Sequence, residues 1–206
     1  MTDNPAIGMY RHFLGAIALA CVVVLAGCGQ HGNAPAFQST DISGADFGHD
    51  FELVDFNGTQ RHLADFRGKV VVMFFGFTHC PDVCPTTLAE FNSALKQLGD
   101  AADRVQVLFV TVDPQRDTPD VLRGYVTAFN DHFLGLTGTP EQIAKVAKEY
   151  KIVYQKVPGS TPDNYSVDHS AGTYIYDEQG RLRLFAPYGL GGDAIASDLA
   201  QLLKTG

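Results

Sequence analysis

Positive charge is scarce in this sequence. Its 206 residues include 15 Lys and Arg against 23 Asp and Glu, which gives a formal net charge of -8. Such a chain repels the phosphate backbone of a nucleic acid rather than attracting it. Internal repeats and low-complexity blocks are also missing, and a chain of this length that is 45% hydrophobic can bury one good core. We therefore expect one globular domain that does not bind nucleic acid.

An apolar run of about 20 residues, the length that a membrane span needs, is also missing. The apolar run near the N-terminus has thirteen residues, 13–25, and this length is typical of a signal-peptide core. It ends in Leu-Ala-Gly-Cys28, which resembles a bacterial lipobox, in which the cysteine is lipidated and becomes the first mature residue. We predict a lipoprotein signal peptide at residues 1–27. The protein is then an exported, membrane-anchored lipoprotein that faces the periplasm or the cell exterior; an uncleaved anchor is the alternative.

Cysteine is scarce as well, with four residues in the chain. Cys21 lies in the predicted signal peptide and Cys28 at the predicted lipidation site. Cys80 and Cys84 are therefore the only pair in the part expected to fold. In an exported compartment such a pair could form a disulfide, bind a metal, or do both in turn.

The rest of the chain predicts a tether followed by an α/β domain. Residues 28–46 are small and polar without hydrophobic periodicity, which indicates a flexible tether, and residues 47–206 form the predicted domain. The domain begins with a predicted β-hairpin, residues 51–56 and 59–63, around Asn57-Gly58.

Alternating strands and helices follow this hairpin. Predicted strands are 69–75, 105–112, 151–157, 173–176 and 181–186, and predicted helices begin near Pro85, Pro119, Pro140 and Asp193. This order is typical of a thioredoxin-like layer structure, so we predict an α/β, thioredoxin-like fold with an N-terminal β-hairpin extension.

The cysteine pair lies between a predicted buried strand and a predicted helix. If Pro85 is the first helical residue, Cys84 is the helix cap, where the helix N-terminus favours thiolate over thiol. The gap of three residues is wider than that of a C-x-x-C dithiol motif, so the loop could chelate an ion. Soft thiolates select Cu(I), and an added imidazole also suits Cu(II) or zinc. A structural disulfide is the alternative, although closing so short a loop restricts the unfolded chain little.

A third ligand has to come from elsewhere in the chain. The mature part holds the candidate histidines His31, His49, His62, His79, His132 and His169. His169 precedes a predicted strand, on the side of a thioredoxin-like sheet where the active-site loops gather. Position alone does not select one of these six residues.

Three segments resemble one known family. The segments GFTHCPDVCPTTL (76–88), TVDPQRDTP (111–119) and VDHSAGTYIYDEQG (167–180) are similar to the Sco/SenC family, the copper-binding proteins of cytochrome c oxidase assembly. The similarity extends from about Phe47 to Leu203, with the three motifs in the order and approximate spacing of the family.

The resemblance implies a ligand set and a function. It implies that Cys80, Cys84 and His169 bind one copper ion, as Cu(I) or Cu(II). It also suggests that Asp113 lies near the site and affects redox behaviour or copper release; capping of the turn Asp113-Pro114 is the alternative role. Asp168, next to His169, is not expected to orient the imidazole, because adjacent residues of an extended segment point apart.

The function that follows is a membrane-tethered copper metallochaperone. It would deliver copper to the CuA centre of cytochrome c oxidase subunit II, with another periplasmic copper chaperone as its donor. As a metallochaperone the protein would not be an enzyme, and the sequence leaves thiol-disulfide oxidoreductase activity open. The alternatives are a thiol-disulfide oxidoreductase that reduces the CuA-site cysteines, and an exported redox sensor, since both use the same cysteine pair.

Overall fold

The computed structural model describes residues 36–161 and 164–205, with ten strands and four α-helices in these ranges. The strands are β1 Thr40–Asp41, β2 Leu53–Asp55, β3 Gln60–Arg61, β4 Val70–Gly76, β5 Val105–Thr111, β6 Leu134–Thr137, β7 Tyr154–Thr161, β8 Asn164–His169, β9 Thr173–Tyr176 and β10 Leu182–Ala186. The helices are α1 Val83–Leu98, α2 Pro119–Thr127, α3 Pro140–Glu149 and α4 Gly192–Thr205. Two short 3-10 helices lie at Leu63–Phe66 and Gly99–Arg104. None of the described helices is long and apolar enough to cross a membrane.

Eight strands form one mixed sheet in the order β1-β10-β9-β4-β5-β6-β2-β3. Strands β4, β5 and β6 run parallel at its centre, and β4 is buried along its whole length, as its continuous apolar sequence predicts. The register of β4 and β5 runs without a break from Val70 opposite Val105 to Gly76 opposite Thr111. Both strands therefore end at the same edge of the sheet, and the loops that follow them lie side by side.

Helices cover both faces of the sheet. Phe74 of β4 packs against Phe91 of α1, with ring centroids 6.2 Å apart, and α1 packs against α4 on that side. The next residue of β4, Phe75, points to the other face and packs against Tyr150, which follows α3, at 5.3 Å. The α/β class predicted from the order of strands and helices is confirmed.

Three of the four helix starts agree with the sequence, α4 to within one residue, and the start of α1 does not. Thr118 and Thr139 accept hydrogen bonds from the amides three residues later, and proline follows each of them, so α2 and α3 begin where predicted. Helix α1 instead begins at Val83, with Asp82 as its N-cap. Pro85 is thus the third residue of α1, a position that proline tolerates because the first four amides have no partner within the helix.

The predicted boundary between tether and domain is wrong for residues 37–46. The amides of Gln38 and Ser39 donate to the Asp198 carboxylate at 2.7 and 2.8 Å, and β1 pairs with β10. Backbone groups, the Asp198 carboxylate and two isolated apolar side chains, Phe37 and Ile42, hold this segment against the core. Two apolar residues five positions apart do not make a periodic pattern, so the sequence does not predict this packing. The predicted signal peptide, Cys28 and residues 29–35 of the tether lie outside the described residues.

The strand predicted at 151–157 is also displaced. The structure has β7 at Tyr154–Thr161, paired with β8 in a two-stranded ribbon that is separate from the main sheet. Sequence reasoning missed β8 and β6. The ribbon is largely exposed on β7 and contains Pro158-Gly159, so it lacks the alternating apolar pattern of a sheet strand. The predicted N-terminal hairpin is present as β2 and β3, with Gly58 at φ +81° in its turn.

Candidate metal centre

The two cysteines lie where β4 passes into α1. Cys80 is in the connecting loop and partly exposed, whereas Cys84 is the second residue of α1 and fully buried. Both are free thiols. The amide of Cys84 donates to the sulfur of Cys80, with nitrogen and sulfur 3.4 Å apart. The first turn of α1 thus directs a backbone amide at the Cys80 sulfur. The prediction that Cys84 is the helix cap is wrong, because Asp82 is the cap and Cys84 lies within the helix.

Gly76, the last residue of β4, makes room for the Cys84 sulfur. A Cβ at this position would lie 2.8 Å from Cys84 Sγ and 2.9 Å from Phe109 Cε2. Real Cβ atoms do not approach other atoms so closely, so a side chain here would have to displace the sulfur or the ring. Glycine is needed at this position because another group comes close to the backbone.

His169 joins the cysteines from the ribbon. It is the last residue of β8, opposite Tyr154, and its Nε2 lies 3.7 Å from Cys84 Sγ. Its ring stands at 73° to Phe74 and 88° to Phe77, with centroids 6.2 and 5.9 Å away. The histidine that the family resemblance implies is therefore beside Cys84, at a strand end rather than in the predicted loop.

The Nε2 atom of His169 is free to accept or to bind a metal. The other ring nitrogen, Nδ1, lies 3.0 Å from the carbonyl oxygen of Ser170, which can only accept, so Nδ1 carries the proton. Burial lowers the pKa of His169, against smaller opposing effects of this hydrogen bond and of Asp168. At neutral pH the imidazole is uncharged, and Ser170, not Asp168, orients it.

The expectation that the helix start favours the thiolate is wrong for Cys84. Burial raises the pKa of its thiol far above the usual value, and the neighbouring Cys80 raises it further, while the amide of Phe77 acts in the opposite direction. Removal of the sulfur from water outweighs the backbone amides at this position. The metal-free site therefore holds Cys84 as a thiol.

These donors fit a soft metal such as copper in kind, since cysteine sulfurs that have lost their protons and one neutral imidazole nitrogen are ligands that copper prefers. In the part of the chain that the structure describes, no three His, Cys, Asp or Glu side chains are grouped closely enough to hold an ion as they stand. Cys84 and His169 are in contact, and Cys80 contacts the backbone of Cys84. The three candidate ligands are thus neighbours, but they are not close enough together to coordinate one ion in this conformation.

Asp113 anchors the ribbon and does not contact the cysteines. Its carboxylate accepts from Tyr165 Oη at 2.7 Å and from the guanidinium of Arg116, and both aspartate oxygens are buried. Arg116 also donates to the Tyr165 carbonyl oxygen at 2.8 Å and stacks 3.6 Å from the centre of its ring. Burial and Asp113 raise the pKa of Tyr165 to about 12, so its hydroxyl remains a donor. We call Asp113, Arg116 and Tyr165 the ribbon latch.

Sequence reasoning missed Asp117, which joins the two loops beneath the site. Its buried carboxylate accepts from the hydroxyls of Thr78 and Thr111, each at 2.6 Å, and from the amide of Thr78. Burial raises the pKa of Asp117, and these hydrogen bonds oppose the shift. The only signal for it in the sequence is its place in TVDPQRDTP, where an acidic residue close to proline is ordinarily interpreted as part of a turn.

The other described histidines have their polar contacts elsewhere. The carbonyl oxygen of His132 accepts from Gln106 near the start of β5, the end of the strand opposite to the site. His79 lies against Thr78 and 3.9 Å from Asp117, as a neighbour of the site. His49 and His62 pair with Asp46 and Asp50.

The chain matches the SCO1/SenC family over residues 39–204. It is 44% identical over 141 residues to "Protein SCO2 homolog, mitochondrial" of Bos taurus, covering 68% of this chain and 52% of that protein. It is 41% identical over 135 residues to the SCO2-like protein of Rickettsia felis, covering 65% of this chain and 66% of that protein. The chain thus spans about half the length of the bovine relative.

Solved structures show the same fold. ScoI of Bradyrhizobium japonicum with copper bound has a TM-score of 0.69 and 40% identity, covering 76% of this chain and 99% of its own. Apo Sco1 of Thermus thermophilus has a TM-score of 0.73 and 41% identity, covering 83% and 99%. BsSco, described as a member of the Sco family of cytochrome c oxidase assembly proteins, shares the fold at 22% identity, with a TM-score of 0.61 and coverage of 82% and 98%. The thioredoxin-like fold is confirmed, and the chain belongs to the SCO1/SenC family.

Proposed function

We propose that this protein binds one copper ion through Cys80, Cys84 and His169. The observation that carries the proposal is the contact of His169 Nε2 with Cys84 Sγ at 3.7 Å, at the helix start where Cys80 also lies. Copper would replace the thiol protons, and the neutral imidazole would supply a lone pair without losing a proton. Relatives solved with copper bound support this assignment.

We propose further that the copper is cargo, delivered to the CuA centre of cytochrome c oxidase subunit II. Cys80 is partly exposed, so an incoming thiolate from a partner could reach the metal on that side. Transfer by ligand exchange needs such an open side, which three protein ligands leave available. The description of BsSco as a cytochrome c oxidase assembly protein supports an oxidase as the recipient.

A transfer experiment tests delivery directly. The full chain, loaded with one equivalent of Cu(I), is mixed with the reduced, metal-free soluble domain of subunit II, and copper in each protein is measured after separation. We expect copper to move to the subunit II domain. His132→Ala should behave as the wild type, because His132 lies beside Gln106 at the start of β5, whereas the cysteines follow the far end of β4. Copper that stays on the loaded chain while a small-molecule chelator still removes it would contradict delivery.

Reduction of the CuA-site cysteines is the second candidate function, and the exposure difference between the cysteines favours it. Cys80 is accessible for attack on a partner disulfide, and buried Cys84 could then resolve the mixed disulfide. The pair would lose two electrons and two protons and form one disulfide, while the partner disulfide becomes two thiols. If this reaction occurs, Cys84→Ser should accumulate the mixed disulfide between Cys80 and the partner, because the resolving cysteine is missing. If neither Cys84→Ser nor Cys80→Ser accumulates a mixed disulfide, the reaction is excluded.

We also propose export and attachment to the membrane through a lipid on Cys28, with another periplasmic copper chaperone as donor. The lipobox-like sequence before Cys28 supports this proposal. Tethering would raise the local concentration of the site near a membrane-bound partner. Labelling with a radioactive fatty acid in a bacterial host should mark the wild type and Cys21→Ala but not Cys28→Ala. Equal labelling of the two variants would contradict lipidation at Cys28.

A further inference from the structure

A turn between β5 and α2 contacts both elements that carry the candidate copper ligands. It extends from Asp113 to Asp117, and the amide of Asp117 donates to the carbonyl oxygen of Asp113 at 3.0 Å. The Asp113 carboxylate accepts from Tyr165 of β8, the strand that ends in His169. The Asp117 carboxylate accepts from Thr78 in the loop of the cysteines. We call this segment the bridging turn.

Asp117 fixes the backbone next to Cys80. The hydroxyl of Thr78 donates to the Asp117 carboxylate at 2.6 Å, and the Thr78 amide lies 3.1 and 3.3 Å from the two carboxylate oxygens. The amide of Cys80 in turn donates to the carbonyl oxygen of Phe77 at 3.2 Å, which closes a tight turn around Thr78. The position of Thr78 therefore determines where the Cys80 side chain leaves the loop.

Thr111, the last residue of β5, holds the Asp117 carboxylate in place. Its hydroxyl donates to this carboxylate at 2.6 Å and accepts from the amide of Asp113 at 2.9 Å, and all three residues are fully buried. A buried carboxylate is stable only where hydrogen-bond donors surround it, so these partners set its orientation. The bridging turn thus joins the end of β5, the loop of Cys80 and the ribbon of His169 in the metal-free protein.

We propose that Asp117 is a positioning residue of the copper site, which holds the loop of Cys80 against the same turn that holds the ribbon of His169. This inference rests on the proposed copper function. The ligands come from two separate elements, and one ion can bind all three only if those elements stay side by side. Asp117 does not bind copper itself; it acts through Thr78 on the position of Cys80.

The test compares Asp117→Ala with Asp117→Asn in the full chain. Alanine removes every side-chain hydrogen bond to Thr78, whereas asparagine keeps an oxygen for Thr78 and can donate to the Thr111 hydroxyl, which also accepts. We expect Asp117→Ala to bind Cu(I) about tenfold more weakly than the wild type in competition with a chelator. Asp117→Asn should stay close to the wild type. In the metal-free protein, amide hydrogen exchange at Thr78 and Cys80 should become faster in Asp117→Ala alone.

Asp177→Ala is the matched control for the loss of a buried carboxylate. Asp177 is also buried, and it accepts from two backbone amides in the turn between β9 and β10. This turn lies at the end of the sheet away from the cysteines, because Tyr176 pairs with Val71 near the start of β4. Asp177→Ala should lose unfolding free energy, as Asp117→Ala does, but bind Cu(I) like the wild type.

A double-mutant cycle with His169→Ala tests the connection between the loop and the ribbon. If Asp117 allows Cys80 and His169 to act on one ion together, removal of His169 should reduce Cu(I) affinity less in Asp117→Ala than in the wild type. Additive losses would mean that the loop and the ribbon are positioned independently, and the inference would be wrong.

Cu(I) affinity of Asp117→Ala equal to that of the wild type would overturn the inference and leave the copper function standing. Absence of copper binding by the wild type would overturn both. An equal loss in Asp177→Ala would assign the effect to general destabilisation, and an equal loss in Asp117→Asn would assign it to charge; either result also overturns the inference.

A second pair of variants decides the outcome if Asp117→Ala does not fold. Thr78→Val removes the hydroxyl that donates to Asp117, whereas Thr78→Ser keeps it. Weaker Cu(I) binding by Thr78→Val alone would support the inference, and equal binding by the two variants would contradict it.

Discussion

At the scale of single residues, adding one methyl group at Gly76 should lower both the stability of the protein and its affinity for copper. Gly76→Ala places a Cβ within 2.9 Å of both Cys84 Sγ and Phe109 Cε2, so the sulfur must shift. Overpacking of this kind costs roughly 1–3 kcal/mol of unfolding free energy. We expect that loss in chemical denaturation, together with weaker copper binding because Cys84 no longer faces His169.

Gly124→Ala is the matched control for Gly76→Ala. Gly124 lies inside α2 and has open space around its Cα, and alanine is the better helix former by about 1 kcal/mol. Gly124→Ala should therefore be as stable as the wild type or more stable. If Gly76→Ala had the same stability and copper affinity as Gly124→Ala, the approach of Cys84 Sγ to Gly76 would not matter for folding or for copper binding.

The site residues that belong to a recognisable sequence motif could be predicted from the sequence. The number and spacing of the cysteines singled out Cys80 and Cys84, the family resemblance selected His169, and Cys84 and His169 do meet. The thiol state of Cys84 could not be predicted, because its burial depends on Phe109 and Gly76 packing around it and not on the spacing of the cysteines.

At the scale of secondary-structure elements, the ribbon of β7 and β8 presents His169 and depends on the ribbon latch. Arg116→Lys removes the planar fork that reaches both Asp113 and the Tyr165 carbonyl, and lysine cannot replace a bidentate, stacked arginine. We expect amide hydrogen exchange in β8 to become about tenfold faster, which corresponds to roughly 1.4 kcal/mol of local opening free energy. Cu(II) binding should weaken in parallel, because His169 loses its fixed position.

Arg123→Lys is the comparison for the latch. Arg123 also donates to a side chain and a carbonyl and stacks on an aromatic ring, but its partners are Asn57 and Phe56 of the N-terminal hairpin. Its substitution should leave exchange in β8 at the wild-type rate. Equal protection of β8 in the two variants would show that the latch does not hold the ribbon.

Elements with a strong local signal were predictable and the ribbon was not. Strand β4 is a continuous buried apolar run, and α2 and α3 carry a capping threonine followed by proline. The ribbon is held by side chains from the loop after β5 and has few buried residues of its own, so nothing in its own sequence shows where it pairs.

At the scale of the whole molecule, the segment before the core is joined to the last helix. Asp198 accepts the amides of Gln38 and Ser39, and its side chain is fully buried. Asp198→Ala leaves both amides without this acceptor. The amide of buried Ser39 then has no partner, at a cost of about 1–3 kcal/mol, whereas the amide of exposed Gln38 can bind water instead. We expect a loss of that order or somewhat more in unfolding free energy, with β1 exchanging its amides fastest.

Asp193→Asn tests whether any acidic residue of α4 has this effect. Asp193 lies in the exposed first turn, where its carboxylate accepts from the Gln97 side chain, so the change should cost less than about 1 kcal/mol. If Asp198→Ala were no less stable than Asp193→Asn, the hydrogen bonds to Asp198 would not be what holds residues 37–41 in place.

The whole account depends on copper binding by Cys80, Cys84 and His169, and an anaerobic titration of the fully reduced 206-residue chain against a competing Cu(I) chelator tests it most directly. Cys80→Ser, Cys84→Ser and His169→Ala are titrated alongside, with His79→Ala as the control for a histidine next to the site that is not a ligand. The account predicts one tightly bound equivalent in the wild type and in His79→Ala, loss of affinity in both cysteine variants, and a smaller loss of Cu(I) affinity in His169→Ala. A wild type that competes with the chelator no better than Cys84→Ser would contradict it.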